Sequence, residues 1–277
     1  MRAYRIAYDG RGYYGFQRQP DVPTVEDAIF DALRALDVFA GEKPSGYAAA
    51  GRTDAGVSAL AQTVAFEAPD WLSPAALNSE LPADVRAWAS ADVPDGFHAT
   101  HHATERRYTY HLHAPEADAA LAREALERLS GRHDFHNLTP DDDGTVRRLD
   151  TALTRDDPFF VLTVSAGGFA RQLVRRLVSL VAAVARGERP LADVERVLAE
   201  EPLDGPRGVA PAPAQPLVLA AVTYGPSDAL AAGIDFDVDT EAAESARQVF
   251  EATRVEQVTS GRVAAQLLAG VDAAIDD

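Results

Sequence analysis

Cysteine is absent from this 277-residue chain, and of its 26 basic residues only Lys43 is a lysine. Without thiols there is no disulfide, thiolate zinc site, iron–sulfur cluster or cysteine nucleophile to consider. A Gly-rich dinucleotide or phosphate-loop pattern is also missing, so a bound redox cofactor has no visible anchor. No apolar run approaches the roughly 18 residues of a membrane span. The N-terminal stretch Met1-Arg2-Ala3-Tyr4-Arg5 enters a strand-like alternation instead of a signal-peptide core. These absences predict a soluble, cytoplasmic protein with no cofactor, no metal and no membrane partner.

What is present starts with a 47% hydrophobic composition, enough for a substantial core. The net charge is −17, and residues 228–277 alone hold eleven Asp/Glu against three Arg. Such acidity runs against the usual basic footprint of an RNA-handling protein. Combined with near-total replacement of Lys by Arg, it points to a halophile's protein kept soluble in concentrated salt. The charge then describes the solvent and not the ligand.

Along the chain, Tyr4, Ile6 and Tyr8 alternate as one face of a strand, followed by the turn Asp9-Gly10-Arg11-Gly12. Thr24 caps a helix whose apolar face is Val25, Ile29, Leu33 and Leu36. A strand follows at Thr63–Glu67 and a helix after Ser73-Pro74. From about residue 100 the series repeats: strand Tyr108–His113, helix Asp118–Ser130, strands near Arg147–Thr154 and Phe159–Ser165. A helix from about Phe169 to Arg186, a short helix, a Pro-rich loop and a strand Leu217–Tyr224 complete it. Beyond Gly225, Thr240–Thr253 and Arg262–Ile275 read as two amphipathic helices. The expected organisation is an N-terminal half over 1–100, a C-terminal half over 101–227 and an acidic helical extension over 228–277.

The densest chemical cluster is Gly51-Arg52-Thr53-Asp54-Ala55-Gly56-Val57-Ser58-Ala59, which has neither helical nor strand period. It puts an Arg two residues from an Asp, so positive charge can hold the carboxylate ionised. An Asp-Ala-Gly turn is equally an ordinary structural feature. Tyr108, Tyr110 and Leu112 share one strand face, which suits core packing as well as base stacking. Arg171 and Arg175, four apart, suit a solvated helix face as well as a binding cleft. His98, His101 and His102, with His111 and His113, raise a metal reading, but no carboxylate or zincin-like spacing accompanies them.

The segment around Asp54 resembles the signature of TruA-type pseudouridine synthases, and the likeness spans roughly residues 4–224. Tyr8-Asp9-Gly10, Tyr14-Gly15-Phe16-Gln17-Arg18-Gln19-Pro20 and Thr24-Val25-Glu26 resemble that family's first strand, loop and helix start. Leu77-Asn78-Ser79-Glu80-Leu81-Pro82, Phe97-His98-Ala99, Arg106-Arg107-Tyr108-Thr109-Tyr110, Gly131-Arg132-His133-Asp134-Phe135 and Phe169–Leu177 resemble later landmarks in the same order. Ser58 stands where that family usually has His, and Gln215-Pro216 where Gly-Leu is usual.

The resemblance implies Asp54 as catalytic carboxylate, Tyr108 stacking on the target base and Arg175 as the ion-pair partner of Asp54. Arg52, Arg106, Arg107, Arg171 and Arg176 become candidates for contact with RNA phosphates. It further implies an α+β fold of two ferredoxin-like or RRM-like halves with a joined antiparallel sheet and a central cleft. The implied activity is isomerisation of uridine at positions 38, 39 and/or 40 of tRNA by a homodimer, without a cofactor. A non-catalytic RNA-binding protein of the same fold is the alternative.

Overall fold

The computed structural model describes residues 1–203, 208–227, 230 and 232–276. Positions 228, 229, 231 and 277 of the expected extension, and 204–207 of the expected Pro-rich loop, lie outside the described residues.

The N-terminal half runs β1 (Arg2–Tyr8), α1 (Val25–Ala35), β2 (Ala48–Ala49), β3 (Ser58–Phe66), α2 (Pro74–Asn78) and β4 (Val85–Asp92). The C-terminal half runs β5 (Glu105–His113), α3 (Ala119–Leu129), β6 (Gly131–Asp134), β7 (Val146–Asp156), β8 (Phe159–Ala166), α4 (Leu173–Ala185), α5 (Asp193–Leu198) and β9 (Leu217–Thr223). β10 (Asp237–Val238) and α6 (Thr240–Asp276) follow. Caps start the helices where the sequence places them: the Thr24, Ser73 and Asp118 side chains accept from backbone N–H groups of the first turns of α1, α2 and α3.

The strands form one ten-stranded sheet in the order β10-β4-β1-β3-β9-β5-β8-β7-β6, with β2 paired to β3 beside this path. Within the first half the order is β4-β1-β3-β2, and within the second β9-β5-β8-β7. Both are the βαββαβ arrangement of ferredoxin-like and RRM-like domains, with antiparallel neighbours throughout. The mixed α+β fold with two like halves is therefore present.

The joined sheet is mixed and not antiparallel as expected, because the halves meet at a parallel pairing, Ser58 with Val218 and Ala59 with Leu219. The joint exists because β2 is only two residues long: it occupies β3 at Val64 and Ala65 and leaves the earlier part of that edge open. Between the two partners the buried Gln62 side chain fills in. Its Oε1 accepts from Gly51 N at 3.2 Å and its Nε2 donates to Gly51 O at 2.7 Å.

Each half has its own core. Tyr4, Ile6, Tyr8, Phe16, Ile29 and Leu33 anchor the first, and Tyr110, Leu126, Phe160, Leu162, Leu177 and Val181 the second. Leu217 enters the second core and Leu219, two residues later, the first, while Tyr108 packs against both.

The two helices expected after residue 240 are a single helix of 37 residues. The helix runs through Gly261, beside which no described residue would lie within 4 Å of an added Cβ. Its first turns pack against β4 and bury Ala242 and Ala246, whereas Val255, Val258, Val263, Leu267, Val271 and Ile275 are exposed.

Leu219 is fully buried at the joint. Leu219→Ala is expected to destabilise the protein by about 2–5 kcal/mol, as large-to-small changes in a core do. Denaturant unfolding in molar KCl checks this, and a loss under about 1 kcal/mol would show that the joint repacks freely.

Candidate active site

The Asp54 loop leaves β2 and enters β3, so it lies at the joint between the half-sheets. Several contacts fix its path. Thr53 O accepts from Phe16 N at 3.0 Å, and Tyr13 O accepts from Gly56 N at 3.1 Å, so residues 13–16 pair with residues 53–56. The Tyr8 hydroxyl and Thr53 Oγ1 are hydrogen-bonded at 2.7 Å in the buried interior. Val57, though part of the N-terminal half, inserts into the second core.

Two glycines make this pairing possible. A Cβ on Gly10 would lie 2.1 Å from Val57 O, and Gly15 has φ +103° with its Cβ position 2.9 Å from Thr53 O. Ser58, a departure from the family pattern, accepts from Gly10 N at 3.0 Å and holds the turn after β1 against the loop.

Asp54 itself is part-exposed. Its Oδ2 accepts from Arg175 Nη1 at 3.0 Å across 121 residues of sequence, with side-chain exposures of 29% for Asp54 and 15% for Arg175. Asp54 Oδ1 has no hydrogen bond to a described residue. Arg175 lies in the first turn of α4, and its Nε donates to Ala212 O at 2.7 Å while its own carbonyl accepts from Ala212 N. The guanidinium is thereby oriented by the loop that precedes β9. The same loop is held by Tyr110, whose hydroxyl donates to Pro213 O.

Tyr108 is half-buried on β5. Its ring meets Phe169 edge-on at 5.1 Å, and its hydroxyl and a Leu219 methyl lie over Gly51, each just under 4 Å from where a Cβ would be. Burial pushes the Tyr108 phenol up to about 12; the nearby Arg106 opposes that shift and the Asp54 carboxylate adds to it. The arrangement is thus a carboxylate held by a fixed guanidinium, one oxygen without a protein partner, beside an aromatic ring at the seam of two cores.

The remaining arginines divide. Arg52 is exposed and has no hydrogen bond or ion pair to a described residue. Arg171 is exposed but precedes α4 instead of sharing a helical face with Arg175, and it pairs with Asp141 at 3.2 Å. One phosphate-contact expectation, Arg106, is corrected by burial, and two more arginines are engaged by protein groups. Arg106 is 8% exposed and bonded to backbone carbonyls. Arg107 alternates with Tyr108 along β5, hence faces the reverse side of the sheet, and pairs there with Glu105. Arg176 donates to Val209 O and Gln172 Oε1 and braces the segment before β9.

Sequence reasoning missed Gln62 and assigned no holding role to Tyr8 or Ser58; all three hold the Asp54 loop. The Tyr8-Asp9-Gly10 motif and the departure from the family pattern at Ser58 were the signals, and Gln62 had none.

Among the described residues no group of three or more His, Asp and Glu is placed to hold a metal. The His98 and His101 rings are 4.1 Å apart, and His98 is shifted below the ordinary histidine value, by burial first and then by its two His neighbours. No described helix is long and apolar enough to cross a membrane. A cavity of about 420 Å³ lined by Tyr8, Leu60, Val218 and Phe250, among others, includes none of Asp54, Tyr108 and Arg175.

The class of protein this site belongs to follows from comparison with known sequences. Residues 125–225 match the family model described as tRNA pseudouridine synthase. A protein named tRNA pseudouridine synthase A from Natronomonas pharaonis is 62% identical, over 96% of this chain and 98% of its own length. Proteins of the same name from Haloarcula marismortui (55%, over 98% of this chain and all of the relative) and Halobacterium salinarum (56%, over 96% and 98%) are also similar. The chain belongs to the tRNA pseudouridine synthase A family. These relatives come from halophilic archaea, the source that the acidic, lysine-poor composition indicated. Among solved structures, an archaeal box H/ACA sRNP Nop10-Cbf5 complex aligns with 64% of this chain and 44% of its own at 15% identity and a TM-score of 0.34, too distant to carry weight.

The raised Tyr108 phenol has a sign that can be tested. Unfolded tyrosine ionises near 10 while the folded phenol holds its proton to about 12. Stability is therefore full below pH 10 and is lost as pH rises from 10 toward 12. Denaturation in molar KCl at pH 8, 10 and 11 should show this fall, shallower in Tyr108→Phe. An identical slope in both proteins would mean that Tyr108 titrates as if exposed.

Proposed function

We propose that this chain isomerises uridine to pseudouridine in tRNA, at positions 38, 39 and/or 40 of the anticodon stem-loop, with Asp54 as the catalytic carboxylate. The reaction breaks the N1–C1′ bond, turns the uracil and forms a C5–C1′ bond; a proton leaves C5 and one is gained at N1. Electron count is unchanged, so the step calls for no redox partner. Positive charge develops on the ribose as the glycosidic bond breaks, as in glycoside hydrolysis, and a carboxylate there stabilises or captures it.

The observation that carries the reading is the Asp54–Arg175 pair at 3.0 Å, part-exposed at the seam of the two halves. Arg175 orients the carboxylate through Oδ2 and leaves Oδ1 for the substrate. Tyr108 supplies a ring for the displaced base, since unstacked RNA bases are recognised by stacking and edge contacts. Arg52 and Arg171 are exposed on the segments that carry Asp54 and lead into Arg175, and are the arginines best placed for phosphate contact. Residues 1–100 and 101–227 are the halves that bring Asp54 to Tyr108 and Arg175, with 228–277 appended. A homodimer would let two clefts share one tRNA.

Conversion of an unmodified tRNA transcript, mapped by position in molar KCl, tests the proposal. Wild type should convert uridine in the anticodon arm, and Asp54→Asn should lower conversion by at least about 10³-fold, the scale lost with a catalytic charge. RNA binding without conversion in either protein, on several tRNAs, would leave a non-catalytic RNA-binding protein.

The salt response is a separate expectation. With a net charge of −17, the fold repels itself at low ionic strength. The Debye length shrinks to about 3 Å at 1 M salt. The melting temperature should rise from 0.1 M to 2 M KCl; a flat or falling curve would remove the link between acidity and salt.

A further inference from the structure

Arg106 makes five hydrogen bonds, as many as a guanidinium has N–H donors, and every acceptor is a backbone carbonyl. Nε and Nη2 both reach Ala50 O, at 3.2 and 2.8 Å. Nη1 reaches Ala103 O at 3.2 Å and Gly167 O at 2.5 Å, and Nη2 also reaches Thr100 O at 2.5 Å. The side chain is 8% exposed and pairs with no carboxylate among the described residues. A buried cation satisfied only by neutral dipoles is costly compared with an apolar residue of similar size.

The acceptors are not scattered. Ala50 leads into Gly51 and the Asp54 loop. Gly167 directly follows β8, two residues before Phe169, which meets the Tyr108 ring, and just ahead of the helix that bears Arg175. Thr100 and Ala103 belong to the stretch between the halves, and the Thr100 hydroxyl itself donates to Ala49 O. Arg106 shares a strand face with Tyr108.

We infer that Arg106 is a positioning residue for the isomerisation: its guanidinium ties together the segments that deliver Asp54, Tyr108 and Arg175, and so sets the separation of carboxylate, ring and guanidinium. This rests on the function proposed above. Arg106 touches no substrate in this role. A lysine cannot replace it, since one ammonium cannot reach four carbonyls in a fixed fork.

The full chain in molar KCl provides the test, with Arg106→Gln and Arg106→Lys compared with wild type. Turnover and KM on an unmodified tRNA transcript are measured together with the dependence of tRNA affinity on KCl. Both variants should lose kcat by about 10–100-fold, as small misplacements of reacting groups do, with KM near the wild-type value. The slope of log affinity against log salt should not change, because no phosphate contact is removed.

If Arg106→Gln does not fold, Arg106→Lys, which keeps the charge and stem, decides alone. Wild-type kcat in a folded variant overturns the inference. So does a salt slope reduced by about one unit with kcat intact, which would make Arg106 a phosphate contact. Failure of wild type to convert uridine would instead remove the proposed function itself.

Discussion

The Asp54–Arg175 ion pair closes only if two half-sheets, built from distant stretches of chain, meet in one register. Its partners are 121 residues apart and come from different halves of the sheet. The register is set by just two residue pairs, Ser58–Val218 and Ala59–Leu219. That minimal parallel contact works because β2 stops after Ala49 and leaves the edge of β3 open ahead of Thr63. A longer β2 would occupy the positions β9 needs. Gln62 covers the gap by giving Gly51 the two hydrogen bonds a neighbouring strand would have supplied. The short strand, the buried amide and the joint are one device.

The arginine-rich, acidic composition fits that device as well as it fits the solvent. Arg106, Arg175 and Arg176 bind carbonyls that hold loops in place, a task suited to a planar fork with several donors and poorly served by an ammonium. With those cations spent internally and 43 acidic residues on the chain, long-range attraction of RNA is weak. In molar salt that attraction would be screened in any case. Recognition then has to come from short-range contact with bases and backbone shape, which a seam between two halves is formed to supply.

Much of the fold was legible because its signals are local. Val25, Ile29 and Leu33 repeat at helical spacing beneath a Thr24 cap, and Tyr4, Ile6 and Tyr8 alternate, so β1 and α1 stand where periodicity put them. β4 was not legible: after Val85 its buried positions are filled by Ala87, Ala89 and Ala91, which alternate correctly but lack β-branched or aromatic character. Adjacent Arg106 and Arg107 look equivalent in a string, yet strand alternation sends one into the interior and the other to the reverse face. Family resemblance pointed to Asp54, Tyr108 and Arg175. It gave no hint of Gln62 or of the Val57 plug, because residues that support a site through the backbone have no characteristic side-chain chemistry.

The loop from Gly51 to Val57 shows how a site with an exposed carboxylate can still be rigid. Gly51 is held by Gln62, Thr53 by Tyr8 and Phe16, Gly56 by Tyr13, and Val57 by the opposite core. Arg52 and Ala55, between these anchors, are left exposed. Every second or third residue is thus fixed from one half or the other, and Asp54 has little freedom beyond its own side-chain torsions. Arg175 removes those. A charge fixed before substrate arrives needs no reorganisation when charge develops at the reacting centre, which is where electrostatic catalysis gains most. The fixing comes from both halves at once, so a change that loosens the joint would misplace the carboxylate without touching it.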